Sequence, residues 1–160
     1  ITPLIGGILG SISVSGTRRA ARISGLVLLP LLLTAANAPP TVDVSVTGLR
    51  NDKGQILVCL TTNPKAFPDC SKDKASVRMA VKAVDAGNFV IHAPADGTYA
   101  IAVGHDENSN NKMDVAIFLP KEGFGFSRNP TITVGPPSFK SASFAIDRDM
   151  RQSIKMKYML

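Results

Sequence analysis

The sequence lacks the motifs that mark the common enzyme classes. It has no G-x-S-x-G elbow, no H-E-x-x-H pair, no phosphate-binding loop and no dinucleotide fingerprint. Its only histidines are His92 and His105, and its two cysteines are expected to pair, which removes both as nucleophiles. These absences predict a protein that is not an enzyme. The alternative is a periplasmic hydrolase or isomerase in which His105 works with Asp106 or Glu122.

Two further absences narrow the class of partner. The net charge is +6, but the basic residues form no stripe interleaved with aromatic residues, so nucleic acid is not an expected partner. No apolar run reaches the roughly 20 residues that a transmembrane helix needs. The 160 residues, 44% of them hydrophobic, suit one domain with a real core. An envelope protein or a small ligand remains the expected partner, with its identity open.

The N-terminal part has the pattern of a secretory leader. The basic segment TRRAAR precedes the thirteen-residue apolar run ISGLVLLPLLLTA, and ANA at residues 36–38 offers a small-x-small cleavage site. We therefore predict an upstream extension and signal peptide over residues 1–38 and a single β-sandwich domain over residues 39–160. The expected location is the periplasm or the medium. A retained membrane anchor is the alternative, and the short run argues against it.

Export would place the two cysteines in an oxidising compartment. Cys59 and Cys70 lie in CLTTNPKAFPDC and are an even pair, so a disulfide bond is predicted. The alternative is a buried free Cys59 with an exposed Cys70.

Period-two hydrophobic patterns and turn signals alternate from Pro39 onward. Strands are predicted in VDVSVTGL, QILVCLT, VRMAVKAV, FVIHA, TYAIAVG, TITV, SFKSASFAI and RQSIKMKYM, with VAIFL as a further, short candidate, and no helix is predicted. The expected fold is an all-β antiparallel β-sandwich of seven to eight strands. In DGTY, the pattern around Tyr99 predicts a tyrosine corner, in which the phenol hydroxyl bonds back to the backbone.

The segment GHDENSNNKMD carries the most specific signal for a ligand. Asp106, Asn108, Asn110, Lys112 and Asp114 fall at positions 1, 3, 5, 7 and 9 of a calcium loop, where position 7 supplies only its backbone carbonyl. Position 12 lacks the usual glutamate, so a further carboxylate would have to come from outside, with Glu122 the nearest. Weak calcium binding, in the roughly millimolar range, is one interpretation. A polar turn whose side chains bond their own backbone is the other.

Aromatic residues alternate with glycines in EGFGFSRNP, which is predicted to be a long loop. Phe124 and Phe126 could form an exposed contact patch. We favour a loop that folds both rings back onto the edge of the sandwich, because each ring buries a large apolar area.

Together, DGTYAIAVGHDENSNNKMD and PKEGFGFSRNP resemble the motifs of an uncharacterised exported bacterial family, domain of unknown function 2141. The similarity covers about residues 42–158, with Asn111 where the family usually has glycine. The resemblance implies a transthyretin-like (prealbumin-like) β-sandwich behind a leader, with no catalytic activity attached. It also implies that the acidic loop and the EGFGF segment form one motif, comprising His105, Asp106, Asn108, Asn110, Lys112, Asp114, Glu122, Gly123, Phe124, Gly125 and Phe126.

Overall fold

The computed structural model describes residues 38–112, 115–116 and 119–160, and its secondary structure is almost entirely β. The predicted leader lies outside the described residues except for Ala38, as does Asp114 of the predicted calcium loop. The strands are β1 (Thr41–Thr47), β2 (Gln55–Thr61), β3 (Val77–Lys82), β4 (Phe89–His92), β5 (Gly97–Asp106), β6 (Val115–Ala116), β7 (Leu119–Pro120), β8 (Gly123–Phe126), β9 (Phe144–Ile146) and β10 (Met150–Lys155). One short helix, α1, spans Phe139–Ala142, and two 3-10 turns span Cys70–Lys72 and Ala83–Asp85.

The strands form two main sheets. The first has the order β10-β1-β4, and the second has the order β3-β2-β5-β8, with β9 also paired to β5. Strands β6 and β7 make a separate two-stranded hairpin. The prediction of an all-β chain is therefore confirmed, but the sheets are not purely antiparallel, because β1 and β10 run parallel. Strands β1 and β10 therefore run in the same direction. The hydrophobic pattern of a strand does not predict whether it pairs in parallel or antiparallel.

Apolar side chains from both sheets share one core. Strand β1 alternates buried and half-buried residues, as the pattern VDVSVTGL predicts. Strand β2 lies between β3 and β5, which matches its apolar character on both faces. The buried core residues include Val42, Val44, Ile56, Leu60, Ile91, Tyr99, Ile101, Ile146 and Ile154.

The predicted tyrosine corner is present at the start of β5. The Tyr99 hydroxyl donates a hydrogen bond of 2.9 Å to the Ala95 carbonyl, and the ring belongs to the core. Tyr99 therefore has an architectural role, as its pattern indicates.

Of two strands predicted near the C-terminus, one is wrong and the other is confirmed only in its last three residues. TITV is not a strand: Asn129, just before it, bonds Ser153 and Lys155 of β10 through its side chain, and Gly135 beyond it has φ 68°. SFKSASFAI is divided into α1 and β9, because Ser138 accepts from the backbone N–H of Ser141 and caps a helical turn. A local side-chain cap thus overrides the hydrophobic pattern in the second segment, whereas the bonds of Asn129 beside the first are long-range bonds to β10.

The two sheets are joined by backbone hydrogen bonds along one side. Phe124 of β8 and Lys157, just beyond β10, exchange two N–H···O bonds of 2.9 and 2.8 Å. The N–H of Met156 bonds the Thr47 carbonyl at 2.8 Å. On the other side, β3 and β4 are the outer strands of their sheets among the described residues.

Candidate loop site at the end of strand β5

Strand β5 leads into the acidic loop, and the turn between β1 and β2 contacts the C-terminal end of this strand. Gly54 has φ 68°, and any Cβ at this position would overlap the carbonyl oxygen of Asp106. This close backbone approach requires glycine. The turn and the end of β5 are thereby held in contact, with Gln55 directly opposite Asp106 in the register.

Asp106 is the anchor of the loop. Its carboxylate is 1% exposed, and its oxygens accept from the backbone N–H of Asn110 (3.0 Å) and of Asn111 (2.7 Å). A third donor is the side-chain amide of Gln55, at 2.8 Å. A buried carboxylate needs such donors, because burial without them costs several kcal/mol.

The side chains of Asn108 and Asn110 also accept hydrogen bonds from backbone N–H groups of the loop. Oδ1 of Asn108 accepts from the N–H of Asn110 at 3.0 Å, and Oδ1 of Asn110 accepts from the N–H of Lys112 at 2.8 Å. Each is an Asx turn. Consequently, the side-chain oxygens at positions 1, 3 and 5 all turn toward the backbone of the loop.

Two loop residues adopt the left-handed conformation that a tight curl requires. Ser109 has φ 58° and Asn111 has φ 60°. Asn111 stands at position 6, where calcium loops usually have glycine for this reason, and asparagine is among the residues that tolerate it best. The departure from glycine therefore leaves the curl of the loop intact.

Glu122 meets the loop from the segment before β8. Its side chain is 4% exposed, and Oε1 accepts from the backbone N–H of Glu107 at 3.0 Å. The structure thus brings the EGFGF segment and the acidic loop together. Among the described residues, no group of three or more His, Cys, Asp or Glu side chains is arranged to hold a metal ion.

An ion pair between Arg50 and Glu107 lies beside the loop, and no sequence pattern predicts it. The Arg50 guanidinium bonds both carboxylate oxygens of Glu107, with Nε to Oε1 at 2.8 Å, and Asn51 donates a further bond of 2.6 Å. The Arg50 hydrogen bonds, helped by Asn51, lower the pKa of Glu107 from an ordinary 4.5 to about 2 despite its partial burial. Arg50 also donates to the carbonyls of Lys121 and Leu160. One arginine therefore ties the loop to the segment before β8 and to the C-terminus.

His105 lies on the inner face of β5, with no exposed surface. Nε2 lies 2.8 Å from the Lys53 carbonyl, which can only accept, so Nε2 carries the proton. Nδ1 is hydrogen-bonded to the Tyr158 hydroxyl at 2.7 Å. That hydroxyl in turn accepts from the backbone N–H of Arg50 at 3.2 Å, and burial raises the pKa of Tyr158. Both ring nitrogens of His105 are thus occupied by structural partners.

The EGFGF segment is a strand, β8, and not the loop that its glycines predict. Gly123 and Gly125 face the core side, where a Cβ on Gly123 would overlap the Tyr158 ring and one on Gly125 would lie 2.7 Å from Cγ2 of Ile154. The glycines are needed for these close approaches, which give the segment its strand pairing with β5.

The two phenylalanines of β8 lie on the opposite face and are buried. Phe124 is 8% exposed and Phe126 is 5% exposed. Their ring centroids are 5.9 Å apart, and Phe126 also packs against Phe67 at 5.7 Å. An exposed aromatic patch is therefore not formed, and the favoured interpretation, in which both rings fold back, describes the structure.

Cys59 and Cys70 lie at disulfide distance, with their Cα atoms 6.0 Å apart, and form a pair. The bridge links Cys59 of β2 to Cys70 in the 3-10 turn that follows, and both residues are buried. Phe67 within this segment then packs on Phe126 and Phe139. In the part of the chain that the structure describes, no helix has the length and apolar character to cross a membrane.

The family comparison agrees with the motifs at this site. The family described as "Uncharacterized protein conserved in bacteria (DUF2141)" matches residues 44–155, which include most of β1, the acidic loop and β8. The chain belongs to this family. The DUF2141 match ends within β10, at Lys155. No curated protein and no solved structure matches the chain.

Proposed function

We propose that this DUF2141 protein is an exported, non-enzymatic binding or accessory module, a transthyretin-like β-sandwich whose acidic loop binds calcium weakly. The observation that carries the calcium proposal is the orientation of three successive alternate side chains. Asp106, Asn108 and Asn110 turn their oxygens to the inside of one curled loop. Carboxylate and carboxamide oxygens at alternate positions are the ligands that calcium prefers.

The sandwich proposal rests on the shared core. Val44 and Ile154 of one sheet and Ile56 and Ile101 of the other belong to a single buried cluster. Two sheets that bury their inner faces against each other, with a tyrosine corner at a bend, are the elements of a sandwich.

The non-enzymatic proposal is supported by the state of His105. Its ring has no exposed surface, and both nitrogens are engaged. A general base must reach the proton it abstracts. His105 could do so only if Tyr158 or the turn at Lys53 moved away. Two shallow surface depressions in the described part of the chain are lined by neither His105 nor Glu122.

A thermal melt in calcium and in chelator tests the metal proposal. With a dissociation constant near 1 mM, about 10 mM calcium stabilises the folded protein by about 1.4 kcal/mol, because the ion binds only the native loop. Asn108→Ala should melt lower in both buffers and lose the calcium-dependent shift. Asn88→Ala, at an exposed asparagine outside the loop, is the matched control and should keep the shift.

Magnesium distinguishes a calcium site from general charge screening. Mg²⁺ demands a compact octahedral shell and loses water reluctantly, so it should shift the melt much less. An equal shift with both ions, or none with either, contradicts a calcium loop and leaves the Asx turns as the whole role of these residues.

The export proposal has a separate test. N-terminal sequencing of the protein recovered from a secreting host should begin at Pro39, directly after the ANA segment. A protein recovered with residues 1–38 intact in the membrane fraction would favour a retained anchor.

A further inference from the structure

The strand β3 leaves one long edge of the second sheet without a strand neighbour among the described residues. Strand β2 covers its other side, with Gln55 opposite Lys82 and Leu60 opposite Val77. The opposite side of the fold is joined between sheets by backbone bonds at Phe124 and Lys157. The molecule therefore has one sealed side and one open side.

The hydrogen-bond alternation identifies which backbone groups face outward. The N–H of Ala83 bonds the carbonyl of Gly54, and this bond extends the β2–β3 ladder by one pair. Bonded and non-bonded pairs alternate in an antiparallel ladder, so Arg78, Ala80 and Lys82 direct their N–H and C=O groups away from β2. A new strand would find three sets of donors and acceptors at this edge.

The side chains of β3 set the chemistry of such a strand. Val77, Met79 and Val81 are half-buried and pack against the core, so the inward side chains of an added strand would cover their exposed parts. The outward residues Arg78 and Lys82 are exposed. In the described part of the chain, neither makes an ion pair within 4.0 Å.

We propose that the β3 edge binds an extended acidic segment of a partner protein, which adds to the second sheet as a further strand. Main-chain bonds would supply affinity, and alternate apolar and acidic side chains would supply specificity. A second copy of this chain is a poor occupant, because antiparallel pairing centred on Ala80 places Arg78 opposite Lys82 and sets like charges against each other. This inference concerns a surface separate from the calcium loop and stands without calcium.

The test uses the purified protein in chelator and a capped peptide of about eight residues that alternates valine with glutamate. Amide NMR should show saturable changes at Arg78, Ala80 and Lys82. A peptide with lysine in place of glutamate should bind at least about tenfold more weakly. Adding N-methyl groups along the acidic peptide should abolish binding, because the main-chain donors are removed.

Variants at Ala80 separate strand addition from simple charge attraction. Ala80→Pro removes an outward N–H that β2 does not use, and proline is tolerated at such edge positions. Ala80→Pro should lower the affinity for the acidic peptide by about tenfold or more, whereas the Ala80→Ser variant should bind the peptide as the wild type does. If Ala80→Pro fails to fold, the N-methylated acidic peptide decides between strand pairing and charge attraction. The paired substitutions Arg78→Glu and Lys82→Glu then test the charge preference alone, which they should reverse toward the lysine peptide.

The results that overturn the proposal are equally defined. No saturable binding of the acidic peptide up to about 1 mM would do so. Binding that survives in a folded Ala80→Pro variant or with the N-methylated peptide would show charge attraction without strand pairing. Concentration-dependent changes at β3 without any peptide would assign the edge to a second copy.

Discussion

The hydroxyl of Tyr158 is the link between the C-terminal segment and the buried His105, and Tyr158→Phe removes that link alone. The phenyl ring retains its packing beside Gly123 and beneath the Arg50 guanidinium, whose carbon lies 4.6 Å from the ring centroid. The two bonds that disappear are those to His105 Nδ1 and from the Arg50 N–H.

The cost of Tyr158→Phe follows from the burial of the partners. His105 is fully buried, so its Nδ1 loses a hydrogen-bond partner that water cannot replace, at about 1–3 kcal/mol. The Arg50 amide belongs to an exposed residue and regains water at little cost. We expect a loss of about 2 kcal/mol in the free energy of unfolding, or a melting temperature lower by roughly 6 °C.

Urea unfolding compares Tyr158→Phe with a matched control, Tyr99→Phe. Tyr99 donates one bond to the carbonyl of the exposed Ala95, so its removal should cost only about 1 kcal/mol. If Tyr158→Phe is the milder of the two, or costs under about 0.5 kcal/mol, the hydroxyl does not hold His105 and the structural role assigned to the histidine fails.

Three further predictions address other contacts of the fold. Gly123→Ala should destabilise by about 1–3 kcal/mol in urea because its Cβ overlaps a ring, whereas Gly87→Ala, which meets nothing within 4 Å, should be close to neutral. The pKa of Glu107 is lowered to about 2, so its ion pair contributes above pH 4.5 and is lost as the pH falls toward 2. Solvent reaches both partners, 38% and 19% exposed, which limits that contribution to about 1 kcal/mol, and Glu107→Gln should remove this part of the acid dependence. Replacing Cys59 and Cys70 by alanine should cost about 3 kcal/mol in a thermal or urea melt, and an unchanged stability would contradict a structural disulfide.

The central strands could be predicted from sequence because their burial is periodic. Strand β1 follows from alternating apolar residues, β2 from a continuous apolar run, and the tyrosine corner from DGTY. The parallel pairing of β1 with β10 could not, since alternation is the same in either direction. Strand β8 could not be predicted, because its glycines indicate a loop. They are required by the close approach of the Tyr158 ring and of Ile154, which come from distant parts of the chain.

The candidate site also has one part that the sequence predicts and one part that it does not. The local Asx turns of the acidic loop follow from the spacing of Asp106, Asn108 and Asn110. The partners Arg50 and Tyr158 come from the β1–β2 turn and the C-terminus, and no short motif connects them to the loop. The pattern of RQSIKMKYM predicts a strand, but it does not identify His105 as the partner of Tyr158.

A calorimetric calcium titration of the purified protein tests whether the acidic loop binds the ion. We predict one site per chain with a dissociation constant of about 1 mM, weakened by Asp106→Asn and unaffected by Asn88→Ala. Heats equal to those of dilution throughout the titration, or binding that Asp106→Asn leaves unchanged, would show that the loop is held by its own hydrogen bonds and binds no calcium.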